Sequence, residues 1–303
     1  MKKILILGAN SYIGTSFHNY LSTQYPGEYD VERISLRGDD WKTGKWSAYD
    51  SIINVTGKAH ADISKLSEEE KQEYYTVNCE LAVEAAKKAI ADGAAQYIYF
   101  SSIIVYGDSS NSRKPVRITS ETKPEPDNFY GDSKWQAEQR LRKLFDAAVG
   151  NTQLVILRPP MIYGNGSKGN FRMLVKLAEK FPVFPDFPNQ RSMLYVENLA
   201  EFLRLVTENG VGGLYFPQNE EYVSTAEMVA EIAEIQGKHL HCSRVWNAFV
   251  KLAFYIPGKI GGMTRKAFGT LTIDRNMSDY SWKYRKYGLR ESIERSLRNN
   301  EQL

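Results

Sequence analysis

Cysteine is scarce. Cys79 and Cys242 are the only two in 303 residues, too few for a disulfide framework and without the CxxC spacing of a structural metal site. A reducing compartment is expected. Histidine is nearly as sparse, and His18, His60, His239 and His241 show no HExxH or other ligand spacing, so no metal is expected. Neither sign of charge dominates: 39 basic residues face 36 acidic ones for a formal charge of +3. No basic block is long enough to track a phosphate backbone, which argues against a nucleic-acid partner. No stretch approaches the roughly 18 uninterrupted apolar residues of a membrane span. The opening run Ile4 to Leu7 stops at Gly8, too early for the apolar region of a signal peptide. A cytoplasmic protein without a membrane partner is expected. A Gly-x-Ser-x-Gly elbow is also missing, so serine-hydrolase chemistry has no support.

What is present is the composition of a packed globular chain, 42% hydrophobic and 25% charged, long enough for one large domain or a domain plus a lobe. Strand-like and helix-like segments alternate through the first half. Strands are read at Ile4 to Leu7, Val31 to Leu36, Ser51 to Val55, Tyr97 to Ser101 and Leu154 to Leu157. Helices are read at Tyr12 to Tyr20, Ser67 to Tyr75, Asn78 to Ala91 and Trp135 to Ala148. This alternation points to an α/β fold with a doubly wound parallel (Rossmann) sheet. After Arg158-Pro159-Pro160 the regularity weakens. Phe181 to Pro188, with Pro182, Pro185 and Pro188 among aromatics, reads as a loop, and with Asn189 as the seat of specificity. Helices follow at Val196 to Thr207, Thr225 to Gln236 and Leu289 to Arg298. Val245 to Ile260, carrying Trp246, Phe249, Phe254 and Tyr255, reads as a helix packed on its own lobe, against the alternative of a membrane-surface helix. A dinucleotide-binding domain over 1–158, with 190–207 returning to it, and a smaller C-terminal α/β substrate lobe over 159–303 are expected.

Two elements carry chemistry. Gly8-Ala9-Asn10-Ser11-Tyr12-Ile13-Gly14 follows the first strand and opens a helix, so its backbone amides can hold a pyrophosphate. Tyr130-Gly131-Asp132-Ser133-Lys134 places a phenol and an ammonium at i and i+4 on one helix face. A positive charge beside a phenol favours phenolate and brings its pKa, about 10 when free, toward the range useful for proton transfer. Ser101 and Ser102 leave a strand end just upstream, where hydroxyls would face the crevice at the carboxyl edge of the sheet. At the end of the second strand, Ser35-Leu36-Arg37 offers an arginine suited to a 2′-phosphate, while Asp39 or Asp40 could serve the adenosine. NAD and NADP both remain open.

Together these residues resemble the extended branch of the short-chain dehydrogenase/reductases, the NAD-dependent epimerase/dehydratase family of nucleotide-sugar enzymes. The resemblance spans nearly the whole chain. It includes Val77-Asn78, Ser101-Ser102 leading to Val105-Tyr106-Gly107, Arg158-Pro159-Pro160 to Tyr163-Gly164-Asn165-Gly166, Gln190-Arg191-Ser192, and Tyr195 to Ala200. It implies Tyr130 as the proton-transfer group and Lys134 as the residue that holds the nicotinamide ribose and lowers the phenol pKa. It implies Ser102 as a hydroxyl donor to substrate and Asn78 as the helix asparagine beside the cofactor. Asn170, in Lys168-Gly169-Asn170-Phe171, and Arg191 match residues on the substrate's diphosphate, where an arginine fork donates two parallel hydrogen bonds. A homodimer through the helices holding Tyr130, Lys134 and Asn78 is implied. The alanine face at Ala82, Ala85, Ala86 and Ala89 would permit that approach or would pack on the sheet.

Departures from the family pattern narrow the reaction. Ser102-Ile103-Ile104 stands where the 4,6-dehydratases carry Thr-Asp-Glu, which disfavours dehydration. Met161 stands where the UDP-galactose 4-epimerases typically carry an asparagine. Ser11 replaces a middle glycine, and its hydroxyl could cap the helix or meet a phosphate. Arg-Pro-Pro, Lys-Gly-Asn-Phe, Arg-Ser, and Gly269-Thr270-Leu271 with Asp274 are similar to a subset associated with polysaccharide biosynthesis. The reading is an NAD(P)-dependent 4-epimerase of a nucleotide-diphosphate sugar, UDP-hexose or UDP-N-acetylhexosamine. The alternative is an NADPH-dependent C4-reductase of a UDP-4-keto sugar. A non-catalytic dinucleotide sensor on the same fold is a lesser alternative, against which Ser102, Tyr130 and Lys134 together speak.

Overall fold

A computed structural model describes residues 1–59, 66–108, 110–167 and 169–298; His60 and Lys168, singled out above, lie outside them. The chain runs β1 (Lys2–Leu7), α1 (Tyr12–Gln24), β2 (Tyr29–Ile34), β3 (Ser51–Asn54), α2 (Glu68–Tyr75), α3 (Leu81–Ala91), β4 (Gln96–Phe100), β5 (Val116–Ile118) and α4 (Phe129–Ala147). It continues with β6 (Gln153–Leu157), β7 (Met161–Tyr163), α5 (Asn170–Lys180), β8 (Val183–Pro185), β9 (Met193–Tyr195), α6 (Val196–Asn209), β10 (Gly213–Tyr215) and α7 (Thr225–Ile235). β11 (His241–Ser243), α8 (Asn247–Tyr255), α9 (Lys259–Phe268), β12 (Leu271–Ile273) and α10 (Leu289–Leu297) follow. Among the described residues no helix is long and apolar enough to cross a membrane, and no group of acidic, cysteine or histidine residues could hold a metal ion.

Six strands form one parallel sheet in the order β10-β6-β4-β3-β1-β2, the doubly wound Rossmann arrangement. A sheet covered on both faces buries both sides of each strand, so its strands read as continuous apolar runs. Ile4 to Leu7 are fully buried, and β3 and β4 are buried throughout. Strand order reverses between β1 and β3, which places a crevice outside the carboxyl ends of the strands at that point.

Two element boundaries differ from the sequence reading in ways that matter. α4 starts at Phe129 rather than near Trp135, because Asn128 caps it by accepting a hydrogen bond from the Gly131 amide at 2.9 Å. The whole Tyr130 to Lys134 turn is therefore helical. The helix expected over Asn78 to Ala91 begins instead with a π turn at Thr76–Glu80. Such a wide turn frees backbone groups, and the buried Tyr99 hydroxyl donates to the Asn78 carbonyl at 2.8 Å.

The chain divides into two compact units. The first holds Met1–Gly107, Lys123–Pro159 and Leu199–Pro217, and the second holds Asp108–Thr122, Pro160–Asn198 and Gln218–Leu303. The segment returning to the first unit is Leu199–Pro217, whereas the sequence pattern suggests 190–207. The reason is that α6 covers the sheet and leads into its edge strand β10, which pairs with β6. In the second unit the strands pair two by two as β7 with β9, β5 with β12 and β8 with β11. The proline-rich segment read as a loop thus contains a short strand. It tolerates Pro185 because it belongs to a two-stranded pair with an open edge, and Phe184 is buried while Phe187 stacks on Phe254 with ring centroids 5.4 Å apart. α8 also departs from expectation: it packs through Val250 and Phe254, but its other aromatic face is exposed.

Ala82, Ala85, Ala86 and Ala89 lie in one core cluster with Leu5, Ile52, Tyr97, Ala137 and Leu141. Small side chains let α3 sit close against the sheet and α4. Of the two uses considered for this face, packing on the sheet is the one realised, and any dimer must use other surfaces. Ala86→Leu should overpack this seam and cost about 1–3 kcal/mol, read as a lower denaturation midpoint with unchanged oligomeric state. Unchanged stability with an altered oligomeric state would contradict this placement.

Candidate active site

The glycine turn joins β1 to α1. Gly8 has a φ of +116°, a left-handed conformation that favours glycine, and a Cβ there would stand 3.3 Å from the Thr56 amide and the Val55 side chain. At Gly14 a Cβ would meet Ser11 Oγ at 2.6 Å and the Ile6 side chain at 2.8 Å, so this glycine lets α1 lie directly on β1. Ser11 is the helix N-cap, with its Oγ accepting from the Gly14 amide at 3.0 Å. The hydroxyl caps the helix as an acceptor, and its own hydrogen is not used by that bond. Asn10, Tyr12 and Ile13 complete the turn at the positive end of the helix dipole. The turn is tied to the second strand by the Gly8 and Ala9 amides, which donate to the Ile34 carbonyl at 2.8 and 3.0 Å. Arg37 is exposed just beyond that strand.

One cradle residue was missed from sequence. Thr56 follows β3, faces Gly8 across the turn, and has a buried Oγ1 with no partner among the described residues. An unpaired buried hydroxyl costs on the order of 1–3 kcal/mol. A glycine turn that a Cβ would fill, a helix N-terminus and an orphaned hydroxyl fit a pyrophosphate-containing dinucleotide.

Ser102, Tyr130 and Lys134 come together at the carboxyl edge of β4. Ser102 caps the turn Ile103–Tyr106, its Oγ accepting from the Ile104 amide at 3.2 Å, and its side chain lies close enough to the Tyr130 phenol to act on that phenol's pKa. α4 approaches this turn closely: a Cβ on Gly131 would lie 2.7 Å from the Ile104 carbonyl oxygen, which explains glycine after the tyrosine. Lys134 is buried and donates to the Phe100 carbonyl at 2.8 Å, with its Nζ 4.9 Å from the centre of the Tyr99 ring.

The electrostatics correct one expectation. Burial pushes the Tyr130 phenol up to about 12, the Ser102 hydrogen bond opposing it and the nearby Tyr74 adding to it. Burial draws Lys134 down to about 8, with Glu138 acting against the shift. The phenol is thus raised, not lowered as the resemblance to the family implies, because loss of water outweighs any help from the lysine, which is turned to the Phe100 carbonyl.

Asn78 is fully buried, and its amide is engaged inside the protein. Its Oδ1 accepts from the Lys58 amide at 2.8 Å, and its Nδ2 donates to the Lys58 carbonyl at 3.1 Å and to Ser133 Oγ at 3.0 Å. With both amide hydrogens spent, it positions the loop after β3 against α4. Asn170 and Arg191 belong to the second unit. Asn170 is exposed at the first turn of α5. Arg191 forms no surface ion pair among the described residues; its Nη1 donates to the Lys266 and Gly269 carbonyls at 2.8 and 3.1 Å.

Beneath Ser102 and Tyr130 lies a buried ion pair that sequence reasoning overlooked. Glu138 and Arg158 are 0% and 3% exposed. Arg158 Nε and Nη2 donate to the two carboxylate oxygens at 2.8 and 2.5 Å, the Ser101 hydroxyl donates to Oε1 at 2.5 Å, and Arg158 Nη1 donates to the Tyr106 hydroxyl at 2.5 Å. The guanidinium also lies over the Tyr106, Trp135 and Phe216 rings. The available signal was spacing: Glu138 follows Lys134 by one helical turn and Tyr130 by two. Glu138→Gln leaves the arginine buried without a counter-charge and should cost about 3–5 kcal/mol in chemical denaturation. A loss below about 1 kcal/mol would mean that water already screens the pair.

Residues 1–247 match the family model described as RmlD substrate binding domain. The chain is 28% identical over 298 residues to UDP-glucose 4-epimerase of Vibrio cholerae, covering 90% of this chain and 87% of that protein. It is 27% identical over 256 residues to N-acetyl-alpha-D-glucosaminyl-diphospho-ditrans,octacis-undecaprenol 4-epimerase of Escherichia coli O157:H7, covering 78% and 73%. In fold it is similar to the crystal structure of UDP-glucuronic acid 4-epimerase from Bacillus cereus in complex with NAD, with a TM-score of 0.69 at 17% identity over 97% of this chain and 95% of that one. The chain belongs to the RmlD substrate binding domain family.

Proposed function

We propose that this protein is a nicotinamide-dependent 4-epimerase of a diphosphate-linked hexose or N-acetylhexosamine. The observation that carries this reading is the convergence of Ser102, Tyr130 and the buried Lys134 at the carboxyl edge of the parallel sheet. The turn Gly8 to Gly14 and Thr56 would hold the dinucleotide's pyrophosphate, Lys134 its nicotinamide ribose, and Arg37 a 2′-phosphate where NADP is used. A nicotinamide bound there supplies the acceptor and donor of hydride at the sugar carbon. The chain's own residues manage the proton and the geometry. Tyr130 first releases its own proton to water; as the phenolate it takes the 4-hydroxyl proton onto its oxygen and later returns it, while Ser102 holds the same sugar oxygen by hydrogen bonding and Lys134 contributes a cation at neutral pH. Asn170 and Arg191 are assigned to the diphosphate. A diphosphate is common to the UDP carrier in the name of the Vibrio cholerae relative and the undecaprenol carrier in that of the Escherichia coli one, so both carriers fit this assignment.

The second reading, an NADPH-dependent C4-reductase, is favoured by two specific features. A phenol raised to about 12 keeps its proton and suits delivery to a keto oxygen, and Arg37 stands exposed beyond β2. Denaturing the purified protein and identifying any released dinucleotide by mass separates the two. Retained NAD with interconversion of UDP-sugar 4-epimers supports the epimerase, while an empty site with a preference for NADPH and no interconversion supports the reductase.

Tyr130→Phe should lower kcat by roughly 10² or more with little change in KM; unchanged turnover would remove the phenol from the mechanism. The Lys134 cation is present at pH 7 and is lost as pH rises through about 8. Accordingly kcat/KM should fall across that range, and a profile level to pH 10 would remove the cation's role.

A further inference from the structure

The second unit bears an apolar surface that its own fold leaves uncovered. α8 and α9 are joined through Pro257 and Gly258, and each buries one stripe: Val250 is 7% exposed, Phe254 stacks on Phe187, and Phe268 meets Phe184 with ring centroids 5.7 Å apart. The opposite stripe should be polar in a helix on a protein surface. Instead Trp246, Phe249, Leu252, Tyr255, Ile260 and Met263 are between 49% and 67% exposed. Isolated exposed apolar residues are ordinary, but a contiguous group marks a contact surface. Here the Trp246 and Phe249 rings touch each other, with centroids 5.6 Å apart, and both helices contribute.

Charge identifies what the surface contacts. From Arg244 to Phe268 the chain carries Arg244, Lys251, Lys259, Arg265 and Lys266 and no acidic residue, in a protein whose overall charge is nearly balanced. Arg244 is paired with Asp186 at 3.0 Å, and Arg265 is held by the Ser110 and Phe254 carbonyls. Lys251, Lys259 and Lys266 are exposed and form no ion pair among the described residues. A second copy of the chain packed on this face about a two-fold axis would bring the same cations together with no acidic side chain from the segment to offset them. An anionic lipid surface offers apolar depth for the rings and negative headgroups for the lysines, whose stems can lie along the apolar layer. With 9 and 10 residues, both helices are too short to span a bilayer and suited to lying in its interfacial plane.

We propose that the α8–α9 surface docks the protein on the anionic face of a lipid bilayer. Docking stands independently of the C4 chemistry. Its extension, that the sugar's diphosphate carrier is itself a lipid embedded in that bilayer, rests on the function proposed above. Sedimentation of the full-length protein with vesicles tests docking without any turnover. The protein should co-sediment with phosphatidylcholine vesicles containing phosphatidylglycerol, and less with phosphatidylcholine alone or at high salt. Tryptophan fluorescence should shift to the blue on binding. Phe249→Glu with Ile260→Glu should reduce partitioning by roughly ten-fold or more, with an unchanged circular dichroism spectrum. Lys251→Glu with Lys259→Glu should reduce it on anionic vesicles only. The proposal is overturned if the unaltered protein ignores anionic vesicles, or if the glutamate variants remain bound. It is equally overturned if Phe249→Glu instead dissociates a dimer, which would assign the face to a second copy.

Discussion

One buried carboxylate holds α4, the helix that carries Tyr130 and Lys134, to the sheet. Glu138 receives two hydrogen bonds from Arg158 and one from Ser101, so the ends of β4 and β6 and the middle of α4 converge on a single charge. Removing either partner from such a pair leaves the other uncompensated in a medium where charge is expensive. The clamp therefore fixes the height of α4 over the sheet edge. Gly131 lets the helix come within contact of the Ile104 carbonyl, and Asn78 ties the loop after β3 to Ser133. The placement of Tyr130 against Ser102 follows from these three constraints and not from any bond the tyrosine makes alone.

Desolvation also sets the proton chemistry, with Lys134 buried and Tyr130 half-buried. Burial raises the tyrosine to about 12 and lowers the lysine to about 8, both toward the neutral form, as desolvation requires. The site thus rests with a protonated phenol. The resting phenol can donate a proton at once and must first release its own before it can accept one, so the same residue serves either direction of proton transfer. This is the physical reason the epimerase and reductase readings share one set of residues.

Much of this was legible in the amino-acid order, and the failures have identifiable causes. β1, β3 and β4 announce themselves because strands buried on both faces need unbroken apolar runs, and the glycine turn because Gly8 and Gly14 stand where a Cβ has no room. The Tyr130 to Lys134 spacing survived even though the helix boundary was placed too late, since the Asn128 cap was not recognised. Glu138, Arg158 and Thr56 were missed because their roles depend on partners distant in sequence. The exposed face of α8 could not be told from a buried one, because a helix apolar all round gives no direction to its packing. The direction of the phenol's pKa shift was also out of reach, since adjacency suggests a neighbouring charge whereas the depth of burial decides.

The central claim is that hydride leaves and returns to C4 within one site while Tyr130 handles only the oxygen's proton. Incubating the protein with UDP-glucose or UDP-N-acetylglucosamine carrying deuterium at C4, and weighing the 4-epimer formed, tests this most directly. Retention of the deuterium at C4 is the predicted result. Its replacement by hydrogen from water would contradict the account, because it would require the carbon itself to lose a proton.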